Sequence, residues 1–420
     1  MSWVVYDLAN TIFSMGVVSL LFGLYVGREV GAERADRELG VITSVSMGII
    51  FMISPLLGAM TDRARRRMPF LVWSTLICCA CTVLFARVPY VWTAALFILG
   101  NAAYQAGLQF YDALLPEVTT EENRGRVSGM GVGIGYMGSY LAIGIGIVLG
   151  TGDLALLFTI IGVAFFLLSL PCFFFVHERG NPNPRQVFGW TMIRESTQQT
   201  WRTLQAGHQY PGLLRFLLGR VFYTDAINTV IAFMSLYAVN VAMAGGVDRR
   251  AGEATAQYAM LFAVTFAIAG GIAWGRLVDR IGPRRTLMGV LWFWIGTLLL
   301  TASVGFFGLP AWALFVVAPL VGIALGGVWA ADRPYMLRLT PPDRIGEFYG
   351  LYGMVGRFSA VSGPILWSAT TYVLVERSGF PPLVGQSVAI LTLLGMIVIG
   401  YVILRPVTDE PRDWTALRNK

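Results

Sequence analysis

Apolar residues in this chain run in blocks of about 20, neither alternating nor confined to one face, and a block that long crosses the hydrocarbon core of a bilayer as a helix. Twelve such blocks are present, at 3–26, 40–60, 69–86, 91–115, 125–150 and 153–176, then 216–243, 254–274, 286–307, 311–336, 347–375 and 382–404. The longest polar gap, 177–211, separates six spans from six. The pattern predicts an all-α membrane protein of twelve transmembrane helices in two six-helix bundles, 1–176 and 212–405, joined by a linker and followed by a tail at 406–420. The first run holds Asp7 and Asn10 and lacks both a basic leader and a small-residue cleavage site, so it is expected to be retained as the first helix.

Polar residues interrupt some spans in an ordered way. Asp7, Asn10, Thr11 and Ser14 fall three and four residues apart, on one helical face, as do Asn101, Gln105, Gln109 and Asp112 in the fourth span. Asp225, Asn228 and Thr229 repeat the arrangement in the seventh. Such a stripe must face water or another helix, because lipid offers it no partner. Amides alone serve equally well in helix–helix seams, whereas carboxylates favour function. Asp7 lies about 6 Å along the axis from Trp3, and Asp225 a similar distance past Arg220. With Asp112 and Asp332 near the inner ends of the fourth and tenth spans, this places four carboxylates around an inner mouth, as a gate or proton-sensing group. Arg357 falls near the middle of the eleventh span and needs an anionic partner, either a carboxylate (Asp332, Asp225 or Asp112) or a group on a substrate.

Composition and charge refine the picture. The chain of 420 residues is 56% hydrophobic and 13% charged, against about 25% charged in soluble domains. Its net charge of +7 comes from arginines, Lys420 being the only lysine, and these lie in short loops. Nucleic acid is therefore not an expected partner; membrane lipids and a small solute are, and the chain is expected to be monomeric. One set of loops holds Arg63, Arg65, Arg66, Arg67, Arg124, Arg126, Arg276, Arg280, Arg284 and Arg285 with the linker and tail, which orients both termini to the cytoplasm. In the linker, Trp190, Ile193, Trp201 and Leu204 recur near helical spacing with Arg194 and Arg202 between them, which fits an amphipathic helix on the inner leaflet or a plain tether. Cys78, Cys79, Cys81 and Cys172 sit in apolar segments, and His177 and His208 share one polar connection, so no disulfide, metal site or cofactor is expected. Gly133, Gly135 and Gly138 spell GxGxxG, but no strand precedes them; they read as a close-packing helix face, as do the glycines of the eleventh span, with a kink expected at Pro364.

The two halves repeat. "YDLANT" from Tyr6 matches "YTDAINT" from Tyr223, placing Asp7 against Asp225 at an offset of 218. "GAMTDRARRR" from Gly58 matches "GRLVDRIGPRR" from Gly275 at 217, and "TTEENRGRVSG" from Thr119 matches "TPPDRIGEFYG" from Thr340 at 221. Three ordered matches at nearly constant offset indicate a duplicated six-helix unit in parallel topology. The loop "GRLVDRIGPRR" resembles the signature of the major facilitator superfamily; the first copy keeps Gly58, Asp62 and Arg63 but has Arg65 in place of the signature glycine. "YDLANT", "FYDALLPEV", "YTDAINTVIAF" and "LTPPDRIGEFYGLYGMVGRFSAVSGP" resemble its vacuole-effluxer-like branch, which includes fungal vacuolar amino-acid effluxers and bacterial members.

The resemblance implies alternating access by two rocking bundles, with Asp62, Arg63, Asp279 and Arg280 holding the cytoplasmic side closed. Asp332 and Arg333 join that gate from the inner-mouth argument. Substrate or coupling roles fall to Asp7, Asn10, Gln105, Gln109, Asp112, Asp225, Asn228 and Arg357. The expected function is secondary transport of a small polar solute, an amino acid or similar metabolite, with proton-coupled efflux as one form and an amphipathic or lipid-like cargo as the alternative. An enzyme would need a clustered nucleophile, metal set or phosphate loop, and none is found; a receptor would need larger soluble regions. The expected location is a bacterial inner membrane.

Overall fold

The computed structural model describes residues 1–410 apart from 151, 186–188, 190–193, 196–197, 199–209, 211 and 359–361. The linker positions Trp190, Ile193, Trp201, Arg202 and Leu204 lie outside the described residues, as does the end of the tail.

The described chain is helical. The first half contains α1 (Ser2–Val30), α2 (Ala32–Arg63), α3 (Met68–Leu84), α4 (Tyr90–Ala113), α5 (Arg124–Leu149) and α6 (Leu154–Phe175). The second contains α7 (Leu213–Ala244), α8 (Arg249–Ile281), α9 (Pro283–Phe306) and α10 (Leu314–Arg338). It continues with α11, described in two segments, Ile345–Phe358 and Ser362–Thr371, and ends with α12 (Pro382–Leu404). Each element coincides with one apolar block. Ten of the described helices are long and apolar enough to cross a membrane, and α3 is apolar but shorter. Within α1, Ser14–Leu21 is π-helical.

Local chemistry sets the boundaries. Gly31 and Gly282 turn the chain between α1 and α2 and between α8 and α9 at φ 81° and 88°, a region that side chains disfavour. Asp153 and Asp248 cap α6 and α8, each accepting from an amide three residues on at 2.9 Å. Proline stands in the first turn of α3, α9 and α12, where its missing N–H costs nothing.

The chain forms two compact units, Met1–Ala206 with Thr340–Met354, and Gly207–Leu339 with Val355–Lys420. In the first unit an aromatic core fastens α1: Trp3 stacks on Tyr111 with ring centres 4.3 Å apart and donates its indole N–H to the Tyr111 carbonyl. Tyr6 also stacks on Tyr111, its hydroxyl shares a 2.6 Å hydrogen bond with Thr75, and Phe22 stacks on Phe97. The opposite side of α1 meets the glycines of α5, where a β-carbon at Gly131 would lie 3.0 Å from Asp7 Oδ2 and one at Gly138 only 2.5 Å from the Leu8 carbonyl oxygen. In the second unit α8 and α10 cross with backbones almost in contact. A β-carbon at Gly322 would overlap the Ala263 carbonyl, and one at Gly326 would lie 2.5 Å from the Ala267 carbonyl oxygen. Small residues at four-residue spacing permit this approach, which gains dispersion contacts that bulkier helices forgo.

Candidate functional site

The signature loop after α2 carries a densely bonded polar cluster. Asp62, in the last turn of α2, accepts from Arg67 at 3.0 Å and Gly346 N–H at 2.7 Å on Oδ1, and from Glu347 N–H at 2.7 Å on Oδ2. Its carboxylate thus sits on the first amides of the α11 segment Ile345–Phe358, where helix geometry leaves N–H groups without internal partners and the dipole favours negative charge. Glu347, nearly fully buried, holds Arg344 through both oxygens at 2.6–2.9 Å. Behind Asp62, Arg67 also approaches Glu117, and Asn181 Nδ2 donates to the Asp62 carbonyl.

The same stretch of α11 lies flat on α2. β-Carbons at Gly346 and Gly58 would overlap the opposing backbone, and one at Gly350 would lie 2.8 Å from the Ser54 carbonyl oxygen. Ser54 Oγ donates to Gln109 Oε1 at 2.6 Å and lies 3.2 Å from the Gly350 carbonyl, while Gln109 Nε2 donates back to the Ser54 carbonyl. Gln109 is therefore engaged in a helix–helix hydrogen bond, the seam reading that its residue type left open.

In the second unit Asp332 of α10 is fully buried, accepting from Arg220 Nε at 2.9 Å and from the Tyr223 hydroxyl at 2.5 Å. Arg220 is itself 4% exposed, so it does not mark the membrane interface, and the depth of Asp225 reckoned from it has no anchor. Asp225 lies about 18 Å along α7 from Leu213, well inside a helix of 32 residues. One of its oxygens, Oδ2, accepts from Gly363 N–H at 2.8 Å and from the Ser362 hydroxyl. Thr229 donates to the Asp225 carbonyl, and a β-carbon at Gly363 would collide with Thr229 Oγ1. Glycine at 363 is what lets this backbone approach α7 so closely.

The remaining candidates are dispersed. Asp7 is buried against α5, and Asn10 is buried with neither side-chain atom hydrogen-bonded. Gln105, Asp112 and Asn228 are half-buried on α4 and α7, and Arg357 is half-buried near the end of the first α11 segment. Arg63 pairs with Glu195 at 3.0 Å; Asp279 is half-buried and Arg280 exposed in the last turn of α8; Arg333 is half-buried beside Asp332.

Two residues that the sequence reading passed over do structural work at matching places. Glu178, just past α6, accepts from Arg67 N–H on both oxygens and from Met68 N–H, capping α3. Asp409, just past α12, accepts from Arg284 N–H at 3.1 Å and so caps α9. Residue type did not mark them, since an acid just past an apolar block reads as an ordinary loop charge. Glu178→Ala is expected to destabilise the chain by about 1 kcal/mol, read as a lower midpoint in a detergent thermal melt, with Glu178→Gln losing less.

A family model described as vacuole effluxer Atg22-like matches residues 40–405. The chain is 27% identical over 432 aligned positions to the MFS-type transporter YxiO of Bacillus subtilis (strain 168), covering 97% of this chain and 94% of that one. It is 23% identical to autophagy-related protein 22-1 of Aspergillus fumigatus over 70% of this chain and 50% of the fungal one. Among solved structures it is similar in fold to the human organic anion transporter MFSD10, with a TM-score of 0.70 at 15% identity over 96% of this chain and 97% of that one.

Proposed function

The chain belongs to the vacuole effluxer Atg22-like family and has the twelve-helix fold of MFS transporters, and from that premise we propose that it moves a small polar solute, an amino acid or similar metabolite, by alternating access coupled to protons. The transporter class itself follows from the relatives; the cargo and coupling are the reading advanced here. The observation that carries the mechanism is the seat of Asp62. The carboxylate holds a helix end by two amide hydrogen bonds, next to glycine-on-backbone contacts that bury little side chain. Such a contact is specific yet exchangeable, since water and arginines satisfy the same groups once it opens. The segment it holds, Thr340–Met354, lies in sequence within the second repeat, so a rocking of the repeats must make and break this seat.

Asp62 and Arg63 are the gate residues in this reading, with Asp279 and Arg280 as their repeat counterparts, and Asp332 and Arg333 are assigned to the same gate. Asp7, Asn10, Gln105, Asp112, Asp225, Asn228 and Arg357 form the solute and coupling set, while Gln109 is held in the seam with Ser54. Asn10 supports a solute-facing role because an amide buried without partners is costly unless a ligand or water fills it. The loop arginines support cytoplasmic termini.

Proteoliposomes given labelled L-leucine, L-lysine and L-glutamate under an imposed pH gradient are expected to show saturable uptake of at least one that collapses with the gradient. No flux of any of them, with tight retention of lipid instead, overturns the amino-acid reading in favour of an amphipathic cargo.

A further inference from the structure

Three arginines gather at one end of the seam between α9 and α12. Arg284 and Arg285 open α9, and Arg405 follows the last residue of α12. The two helices pack along each other, and Arg284 Nη2 donates to the Arg405 carbonyl at 2.6 Å, so their ends meet. Arg285 and Arg405 are exposed, while Arg284 is half-buried and its Nε has no hydrogen-bond partner. None of these guanidinium groups pairs with a carboxylate among the described residues. Asp409, four residues past Arg405, accepts the Arg284 backbone amide on Oδ2, and its carbonyl accepts from Arg338. Glu410 is exposed, and the half-buried Asp279 near the end of α8 has the exposed Arg280 next to it.

The corresponding seam of the first unit, between α3 and α6, is built differently. At the repeat offset of 217, Arg67 stands for Arg284 and Met68 for Arg285, and Val176 follows α6 where Arg405 follows α12. Arg67 is also neutralised, bonded to Asp62 at 3.0 Å and 3.9 Å from Glu117. In the second unit Arg284 has no carboxylate so placed among the described residues, and two more arginines stand beside it. Orientation in the membrane depends on how many arginines a loop carries. It does not require arginines from two separate connections to meet at one seam.

Further along the seam from the arginines, the surface is aromatic and faces outward. Trp292 lies two turns, about 10 Å, into α9 on the face of Arg285, and Tyr401 one turn before Arg405. The two rings meet edge to face with centres 5.5 Å apart, and Trp292 is 58% and Val402 60% exposed. Cationic groups at the helix ends, with amphipathic rings about 10 Å deeper, match the layout of a phospholipid. The headgroup phosphate meets the arginines, and the glycerol and upper acyl chains meet the rings.

We propose that the α9–α12 seam is a headgroup site for an anionic phospholipid. Arg285 and Arg405 hold the phosphate, Arg284 adds its charge beside them, and an acyl chain lies over Trp292, Tyr401 and Val402. Arginine suits this role because its planar fork gives two parallel hydrogen bonds to a phosphate. Phosphatidylglycerol has the net negative charge that the site lacks, whereas phosphatidylcholine brings a cation of its own, which the three arginines repel. The bound lipid ties the start of α9 to the end of α12 and so stabilises the second unit. The site is independent of the cargo and of the coupling ion.

In the test, the full-length chain in detergent is titrated with dioleoyl phosphatidylglycerol or dioleoyl phosphatidylcholine. Native mass spectrometry counts bound lipid, and the thermal midpoint reads stability. The wild type is expected to retain phosphatidylglycerol over phosphatidylcholine and to melt higher in it. Arg285→Ala and Arg405→Ala, whose guanidinium groups bond no described residue, are each expected to weaken phosphatidylglycerol binding about fivefold, and together about 30-fold. In phosphatidylcholine these variants are expected to melt as the wild type does, which separates lost lipid from lost folding. Arg250→Ala removes the same charge from the opposite end of α8 and is expected to leave the preference unchanged. Salt at about 1 M is expected to erase the preference. Equal binding of the two lipids by the wild type overturns the proposal. So does a double variant that keeps the preference, or an Arg250→Ala protein that loses it to the same degree. Stabilisation by soluble glycerophosphate at the concentrations effective for phosphatidylglycerol would assign the arginines to a free phosphate and overturn the lipid site.

Discussion

Replacing Asp332 by alanine is expected to destabilise the second unit by about 3–5 kcal/mol, because it strands a buried guanidinium. Arg220 is 4% exposed and has Asp332 as its bonded carboxylate at 2.9 Å, and the Tyr223 hydroxyl would lose its acceptor at the same time. The attraction within the pair only repays the cost of taking both ions from water, so the loss on breaking it greatly exceeds the net worth of the pair. The double variant Arg220→Met with Asp332→Leu is therefore expected to recover most of the stability lost by the single one. Denaturant titration of the purified protein in detergent reads both. An Asp332→Ala protein as stable as wild type would mean that Arg220 reaches water or another carboxylate.

A leucine at Gly346 is expected to have the second large effect, on transport more than on folding. A β-carbon there would overlap the Thr61 hydroxyl and the Gly58 carbonyl and stand 2.8 Å from Asp62 Oδ1, so the amide bonds to Asp62 cannot form as they stand. Overpacking of this kind costs about 1–3 kcal/mol, and because it applies only when Thr340–Met354 is seated on α2, it shifts the equilibrium against that state by roughly 5- to 150-fold. Flux in proteoliposomes should fall accordingly, while the amides of Gly346 and Glu347 exchange faster with deuterated water. Asp62→Asn, which keeps one acceptor and loses the charge, should fall between wild type and Gly346→Leu. Unchanged flux in Gly346→Leu would detach this seat from the transport cycle.

What the sequence made legible follows from how strongly each feature is written locally. Every apolar block became a helix, since in lipid no other backbone arrangement satisfies N–H and C=O groups within one segment. The duplication was legible because loop motifs keep their order, and the structure extends it to the capping acids Glu178 and Asp409, which hold the starts of α3 and α9. The glycines of α5 and α11 were read as a close-packing surface, and Gly131, Gly138 and Gly350 do meet neighbouring backbone or side chains at contact distance.

Pairings over long sequence distance were not legible. Arg220 and Asp332 are 112 positions apart, and nothing in either neighbourhood names the other. Reading Arg220 as an interface marker treated an arginine as a solvated charge, which its burial with Asp332 corrects. The seat of Asp62 on Gly346 and Glu347 spans more than 280 positions and uses backbone amides, which carry no residue-type signal. Residue type alone likewise left Gln109 open between a pore and a seam, until Ser54 and Gly350 supplied its surroundings.

The central claim, that the chain carries a solute across a membrane by alternately exposing one site, is tested most directly by counterflow. Proteoliposomes preloaded with an excess of unlabelled L-leucine, with no ion gradient, are placed in a trace of labelled L-leucine, and L-lysine and L-glutamate are run in the same way. For at least one of the three, the account expects transient accumulation of label above its external level, driven by exchange through the site and abolished in Gly346→Leu. Label that only equilibrates, at the same rate in preloaded, empty and protein-free vesicles for all three, would contradict it.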